Sequence, residues 1–182
     1  MKHLGTQRIE TERLILRKFV MEDAKAMYEN WASDEEVTRY LMWPAHSDIS
    51  VSQEILKEWT KNYTKEDYYQ WAICLKENNE PIGNIGVVSQ DDTIEMVHIG
   101  YCIGRQWWHQ GITSEALGGV IGFFFDKVGM QRIESRHDPR NPNSGAVMKK
   151  CGMQYEGTLR MADWNNQGIC DACYYSILEM DR

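Results

Sequence analysis

One stretch, residues 93–127, constrains the fold more than any other. A strand-like run over residues 93–103 passes through the loop Gly104-Arg105-Gln106-Trp107-Trp108-His109-Gln110-Gly111-Ile112 into a helical run that begins Thr113-Ser114-Glu115-Ala116-Leu117 and closes at Gly129. A strand feeding a helix through a short glycine-bearing loop belongs to α/β architecture. The segment also carries a chemical hint. A glycine at the loop's end lets backbone N–H groups converge, and the helix behind it adds unpaired donors and the positive end of its dipole, so such a turn binds phosphate or pyrophosphate with few charged side chains. An ordinary strand–loop–helix connection is the other reading. The G-K-[ST] ending of a P-loop and the G-x-G-x-x-G fingerprint are both absent.

The remaining elements fall around this one. Residues 13–17 alternate like a first strand, and residues 23–31 set Ala24, Met27, Tyr28 and Trp31 at helical spacing. A second helix is predicted over residues 52–63, with Ser50 or Ser52 as its N-cap. Residues 69–75 and 82–88 read as strands, residues 132–137 as a strand, and residues 143–150 as a short helix with Gly152 as its C-cap glycine. The end is a hairpin of strands 155–164 and 169–178 around Asn165-Asn166-Gln167-Gly168. The order β-α-α-β-β-β-α-β-α-β-β predicts an α/β fold on a central mixed sheet. With 182 residues, no repeat and no linker rich in Pro, Gly or Ser, the expectation is a single domain over residues 1–182.

Composition excludes several classes. The formal net charge of −7 argues against a general nucleic-acid binder. The longest near-apolar run, residues 118–125, is far short of the ~20 residues of a membrane span, and the first residues lack the apolar core of an export signal. Five scattered cysteines (Cys74, Cys102, Cys151, Cys170, Cys173) predict reduced thiols in a cytoplasmic protein. Cys170 and Cys173 lie three apart on a predicted strand and so point to opposite faces, which favours a structural role over a metal or redox pair. No metal is expected. By contrast, residues 127–150 hold six basic side chains and two acidic ones, a net of +4 that leaves −11 for the rest of the chain. A basic island beside an anion-binding turn suits a ligand with several phosphates, and a solvated helix face is the plainer alternative.

At this point the sequence resembles a known family. Gln110-Gly111-Ile112-Thr113-Ser114-Glu115-Ala116-Leu117, preceded by Ile99-Gly100-Tyr101, is similar to the acetyl-CoA motif of the GNAT N-acetyltransferases, in the branch of the RimJ/RimL ribosomal-protein N-terminal acetyltransferases. Glu12-Arg13-Leu14-Ile15-Leu16-Arg17, Leu41-Met42-Trp43-Pro44, Asn141-Pro142-Asn143-Ser144, Lys150-Cys151-Gly152-Met153 and Glu156-Gly157 agree in order and spacing over nearly the whole chain. Trp108 and Thr113 depart from the motif, which has Gln or Arg and Gly or Ala at those places, and Met148 stands where many members have a tyrosine that protonates the departing thiolate.

The resemblance implies a GNAT-like, mostly antiparallel mixed sheet of about seven strands, with helices on both faces and two splayed parallel central strands. It implies acetyl-CoA as cofactor. Its arm would pair with the strand bearing Ile99, Tyr101, Cys102 and Ile103. Its pyrophosphate would lie on the backbone of Trp108, His109, Gln110, Gly111, Ile112, Thr113 and Ser114, with Asn141 and Lys150 nearby. The implied reaction is direct acetyl transfer to an amine-bearing acceptor, more readily a protein N-terminus than a polyamine or aminoglycoside. A weakly active acyl-CoA-binding protein is the competing reading. The resemblance makes Ser144 the proton donor to the thiolate, with N-capping of the following helix as its alternative role. It also places Asp163 as the base, with Glu95 and His98 as rivals that lie three apart, so at most one of them faces the cleft. Trp31, Tyr40 and Trp43 are candidate walls of the acceptor site, with core packing as the alternative for each. Neither nucleic acid nor membrane is expected as partner, and the chain is expected to be a monomer or homodimer.

Overall fold

The computed structural model describes all residues, Met1–Arg182. Eight strands form one sheet: β1 (Ile9–Glu10), β2 (Leu14–Arg17), β3 (Gln70–Leu75), β4 (Pro81–Asp91), β5 (Met96–Ile103), β6 (Arg132–His137), β7 (Gln154–Asn165) and β8 (Gly168–Leu178). Their spatial order is β1-β2-β3-β4-β5-β6-β8-β7, and β5–β6 is the one parallel neighbour pair. Parallel pairing needs a crossover, which α4 (Ile112–Phe123) supplies together with a π turn at Phe124–Val128. The other helices are α1 (Ala24–Met27), α2 (Glu35–Thr38), α3 (Ile49–Asn62) and α5 (Pro142–Lys150). No helix is long and apolar enough to cross a membrane.

The two-residue alternation of the strands divides the core. Leu14, Leu16, Trp71, Ile73, Val97, Ile99 and Ile103 pack with Leu117, Val120 and Phe124 on the α4 face. Ile15, Ala72, Cys74 and Cys102 turn to the opposite face, under Met27, Trp31 and Leu56. His98 has the same parity as Cys102 and so faces that second side.

Several expectations need correction. The sheet has eight strands, because Ile9–Glu10 pairs with Leu16 and Ile15. The helix after the glycine loop starts at Ile112. Asp48, rather than Ser50 or Ser52, caps α3 by accepting from Ser50 N–H at 2.8 Å. The predicted helix over residues 23–31 is a single α turn continued as a π turn at Tyr28–Ala32. Residues 93–95 form a turn before β5.

Candidate active site

The site begins where β5 and β6 part. Their ladder holds three pairs, Met96↔Arg132, Val97↔Ile133 and His98↔Glu134, and then stops. A bulge in β4, where Val87 faces Ile99 and Ser89 faces His98, sits at the same point and adds the local twist that bulges produce. Buried Ser135 closes the crotch by donating its hydroxyl to the Ile99 carbonyl at 2.7 Å. At the far end the Trp108 indole donates to the Ile103 carbonyl at 3.0 Å. Backbone groups alternate in direction along a strand, so the N–H and C=O of Tyr101, between those two satisfied carbonyls, face the opening.

One cleft, of about 320 Å³, runs from this opening to the start of α4. Tyr101, Cys102, Ile103, Trp108, His109, Gly111, Ile112, Thr113, Ser114, Asn141, Ser144 and Lys150 line it. Gly111 is left-handed (φ 73°) and caps the helix without a side chain, so the first amide to close a helical turn is Glu115 N–H, on the Gly111 carbonyl at 3.1 Å. His109 is left-handed too (φ 59°), a conformation that costs a non-glycine residue about 1 kcal/mol or more and that concentrates at ligand-gripping turns. The amides before Glu115 are therefore uncapped and gathered around Gly111, as an anion requires.

The cations around this turn are not the ones the basic island suggested. Arg132 is bound by Glu134 and Glu156, Arg136 by Asp163, and Arg140 by Asp138. Lys149 lies over the Tyr175 ring. Lys150 alone of the island lines the cleft, and its Nζ lies 3.0 Å from where a Gly111 Cβ would stand. It makes no ion pair. Outside the island, Arg13 braces the turn: its Nη1 donates to the Gln110 carbonyl at 3.0 Å and its Nε to Glu115 at 2.6 Å. The Gln110 side chain turns back to the Gln106 carbonyl and away from the cleft. The site thus offers uncapped amides, an unpaired lysine and an open strand edge, which fit a pyrophosphate carrying an amide-rich arm.

The thiols nearby are inert. Burial pushes Cys102 up to about 12, and its Sγ sits 2.9 Å from Asn84 Oδ1. Burial also pushes Cys151, on the Ser114 carbonyl, up to about 11. Neither supplies thiolate at neutral pH.

A second cleft, also about 320 Å³, opens on the other side of the splay and shares Tyr40, Leu41, Tyr101, Cys102, Asn141 and Ser144 with the first. Where the two meet, the Tyr101 hydroxyl donates to the Ser144 carbonyl at 2.9 Å and lies 3.2 Å from Ser144 Oγ. Burial raises the Tyr101 phenol above its ordinary value, so it stays protonated. Ser144 is not an N-cap. Asn141 holds that position, Pro142 opens the helix, and Ser144 stands in its first turn with its hydroxyl at the junction. Met148 is fully buried in the core, so no side-chain proton is available from that position.

The candidate bases separate clearly. His98 is buried and lines the second cleft, with Nδ1 on Glu134 Oε1 at 3.2 Å and Nε2 bound to no protein group. The His98 hydrogen bond, with Arg132 beside it, holds Glu134 below the usual carboxylate range. Asp163 lines the same cleft, but Arg136 grips both its oxygens, Nε to Oδ2 at 2.7 Å and Nη2 to Oδ1 at 3.0 Å. Glu95 is outside both clefts, left-handed (φ 49°) and 3.2 Å from the terminal amine of Met1.

The aromatic candidates divide as well. Tyr40 and Trp43 line the second cleft, joined by Trp59 and Trp164. Trp31 does not: it is fully buried among Phe19, Met27 and Leu56. The loop carrying Tyr40 and Trp43 is clasped to the β7–β8 turn by Asn166, whose Nδ2 donates to the carbonyls of Thr38, Leu41 and Trp43. Glu134, Ser135 and Asn166 are not site candidates in the sequence, and Arg136 is one only as part of the basic island. An acid facing His98 across a parallel ladder was the one signal that could have exposed Glu134.

Comparison with known proteins agrees with this geometry. The profile of the acetyltransferase (GNAT) domain matches residues 13–154. The uncharacterized N-acetyltransferase p20 of Bacillus licheniformis is 31% identical over 94% of this chain and 96% of its own. The [ribosomal protein uS5]-alanine N-acetyltransferase of Escherichia coli is 24% identical over 82% of this chain and 79% of its own. Among solved structures, a GNAT-family acetyltransferase from Bacillus anthracis superimposes with a TM-score of 0.84 at 26% identity, covering 96% of this chain and 99% of that one.

Proposed function

The chain belongs to the GNAT acetyltransferase family, an acyltransferase that uses acetyl-CoA, and on that premise we propose that its acceptor is the α-amine of a peptide or protein N-terminus. The observation that carries the reading is the meeting of two clefts at Tyr101 and Ser144, with His98 on the acceptor side. Bound acetyl-CoA supplies an acetyl thioester, activated for attack by a neutral amine. Gly111, the amides up to Ser114 and Lys150 would hold its phosphates, and the open edge at Tyr101 its arm.

The chain's own groups then divide the work. His98 Nε2 takes a proton from the incoming ammonium, while Glu134 fixes the ring through Nδ1 and stabilises the imidazolium. The free backbone N–H of Tyr101 is the donor available to a carbonyl oxygen as it gains charge, a role often worth ~10²–10³ in rate. Ser144, its Oγ 3.2 Å from the Tyr101 hydroxyl, gives its hydroxyl proton to the departing sulfur and takes one back from the amine nitrogen as the amide forms. Asp163 serves to orient Arg136 in the cleft wall.

Two considerations favour an α-amine. At a pKa of ~7.7–8.0 it is roughly 10% neutral at pH 7, against under ~0.1% for lysine, so one histidine suffices as base. The two carboxylates lining the acceptor cleft are also each ion-paired, Asp163 with Arg136 and Asp138 with Arg140, so neither is set aside for a polycation. The E. coli relative, named for acetylating an alanine of a ribosomal protein, supports the same class.

The test is thiol release from acetyl-CoA with an alanine-terminated peptide, the same peptide blocked at its terminus but carrying lysine, and spermidine. The free-terminus peptide is expected to give the highest kcat/KM. Faster turnover of spermidine or the blocked peptide would contradict the α-amine, and acetyl-CoA binding without turnover of any amine would contradict the enzyme reading.

A further inference from the structure

The acceptor cleft contains a polar side chain that the reaction leaves unexplained. Gln70 opens β3, and its backbone is fully engaged, its N–H by Thr6 Oγ1 at 3.0 Å and its carbonyl by the Tyr63 hydroxyl at 2.9 Å. Its side-chain amide is bound to nothing. Nε2 is buried with no partner, in a residue that lines the cleft holding His98 and Ser144. Leaving a buried amide donor unmet costs about 1–3 kcal/mol, a standing penalty relieved when the amide turns its Nε2 toward an acceptor group bound in the cleft.

The strand beside it makes room for the amide. The register runs from Gln70 to Gly86 and from Gly86 to Gly100, so two glycines adjoin Gln70 across three strands. A Cβ on Gly86 would overlap the Gln70 amide, and one on Gly100 would stand 2.7 Å from Val88 Cγ2. The space a side chain would take on Gly86 is filled by the Gln70 amide and that on Gly100 by the Val88 methyl, so the Gln70 amide lies over β4 in the lining of the cleft, with His98 two residues along β5 from Gly100. Adjacent strands are about 4.8 Å apart, so the Gln70 amide lies about one strand from the path of an amine approaching β5. The amide's Nε2–H is a donor for one carbonyl, and the first peptide group of a peptide acceptor presents such a carbonyl, its carbon two bonds from the reacting nitrogen and its own N–H pointing the opposite way.

We propose that Gln70 is a specificity-determining residue whose side-chain Nε2 donates to the carbonyl of the acceptor's first peptide group, the one next to the reacting α-amine. The inference deepens the N-terminal reading and rests on it. An amine without a neighbouring amide leaves Gln70 as it is in the free protein, and a site built to pair a polar group discriminates against ligands lacking it.

Gln70→Met is the variant of choice, because it keeps length and volume while removing both polar atoms. Two results of opposite sign are expected. The free protein should melt at or above the parent's temperature, since an unmet donor has gone. KM for an alanine-terminated peptide should rise about tenfold, the equivalent of one 1.4 kcal/mol hydrogen bond, with KM for acetyl-CoA and for n-butylamine unchanged. Gln70→Asn, whose amide is one methylene too short, should raise the peptide KM as well. An unchanged peptide KM in a folded Gln70→Met protein would overturn the assignment, and so would an equal rise with n-butylamine. Failure of the parent reading looks different: the unaltered protein would then acetylate n-butylamine or spermidine better than the peptide, and both proposals would fall together.

Discussion

Gly111→Ala perturbs the turn at one atom. At φ 73° the residue is left-handed, which costs an alanine roughly 1–2 kcal/mol relative to glycine. The new Cβ would stand 3.0 Å from Lys150 Nζ and 3.6 Å from Arg13 Nη2, both ends of flexible side chains that can swing aside, so the backbone cost governs stability. For a chain of this size, 1–2 kcal/mol lowers the melting temperature by about 2–8 °C. Binding suffers separately. Lys150 is displaced from the mouth of the amide turn, and losing one charge-assisted contact at about 1.5–3 kcal/mol raises the acetyl-CoA KM by roughly 10- to 100-fold. The assay is thiol release at saturating amine, titrating acetyl-CoA in parallel with acetyl-pantetheine, which lacks the diphosphate. Acetyl-pantetheine kinetics should be unaffected. A lowered melting temperature with an unchanged acetyl-CoA KM would refute the idea that this turn holds phosphate, and an equal loss with acetyl-pantetheine would place the damage elsewhere.

The other predictions concern the proton carriers and the acid limb of stability. His98→Gln should lower kcat about 10²-fold with the acetyl-CoA KM unchanged. Asp163→Asn, weakening the grip on Arg136, should act mainly on the acceptor KM, and a kcat loss matching that of His98→Gln would restore Asp163 as base. Ser144→Ala should lower kcat while leaving acetyl-CoA binding intact, and unaltered turnover would remove it as proton donor. Asp138 is held at about 2 by hydrogen bonds from Arg140, and Glu156 at about 2 by those from Arg132, against ordinary values of 3.8 and 4.5. Carboxylates depressed in this way contribute stability that is fully present above about pH 5 and lost as pH falls through 4 toward 2. With Arg140 largely in solvent, the Asp138 share is of order 1 kcal/mol, so Asp138→Asn should flatten part of the melting-temperature fall between pH 4 and pH 2 without further change in the slope above pH 6.

What was legible in the sequence was local. The strand–loop–helix around Gly111 depends on chain neighbours, so it reads directly, as does the terminal hairpin turn. Glu95 lies outside both clefts for a reason strand parity did not supply: it stands in the left-handed turn before β5, beside the Met1 amine. Long-range partners were not legible. Residues 127–150 look like a phosphate-binding island until the fold brings Glu156 to Arg132 and Asp163 to Arg136, which neutralise it from the last hairpin. Asp163 reads as a free carboxylate for the same reason. Trp31 and Trp43 are alike in sequence, and only the packing of α1 against α3 sends one into the core and the other to the cleft wall. β1 escaped notice because two residues carry no period.

Hydrogen–deuterium exchange at single-amide resolution, with and without acetyl-CoA, tests the central claim most directly. In the free protein the amides of Gly111 to Ser114 and of Tyr101 should exchange quickly, since the fold leaves them without acceptors. Acetyl-CoA should protect that set together, while the His98 and Gly100 amides of β5, already bound within the sheet, change little. Unaltered exchange at those amides at saturating ligand, or protection confined to another surface, would contradict the account.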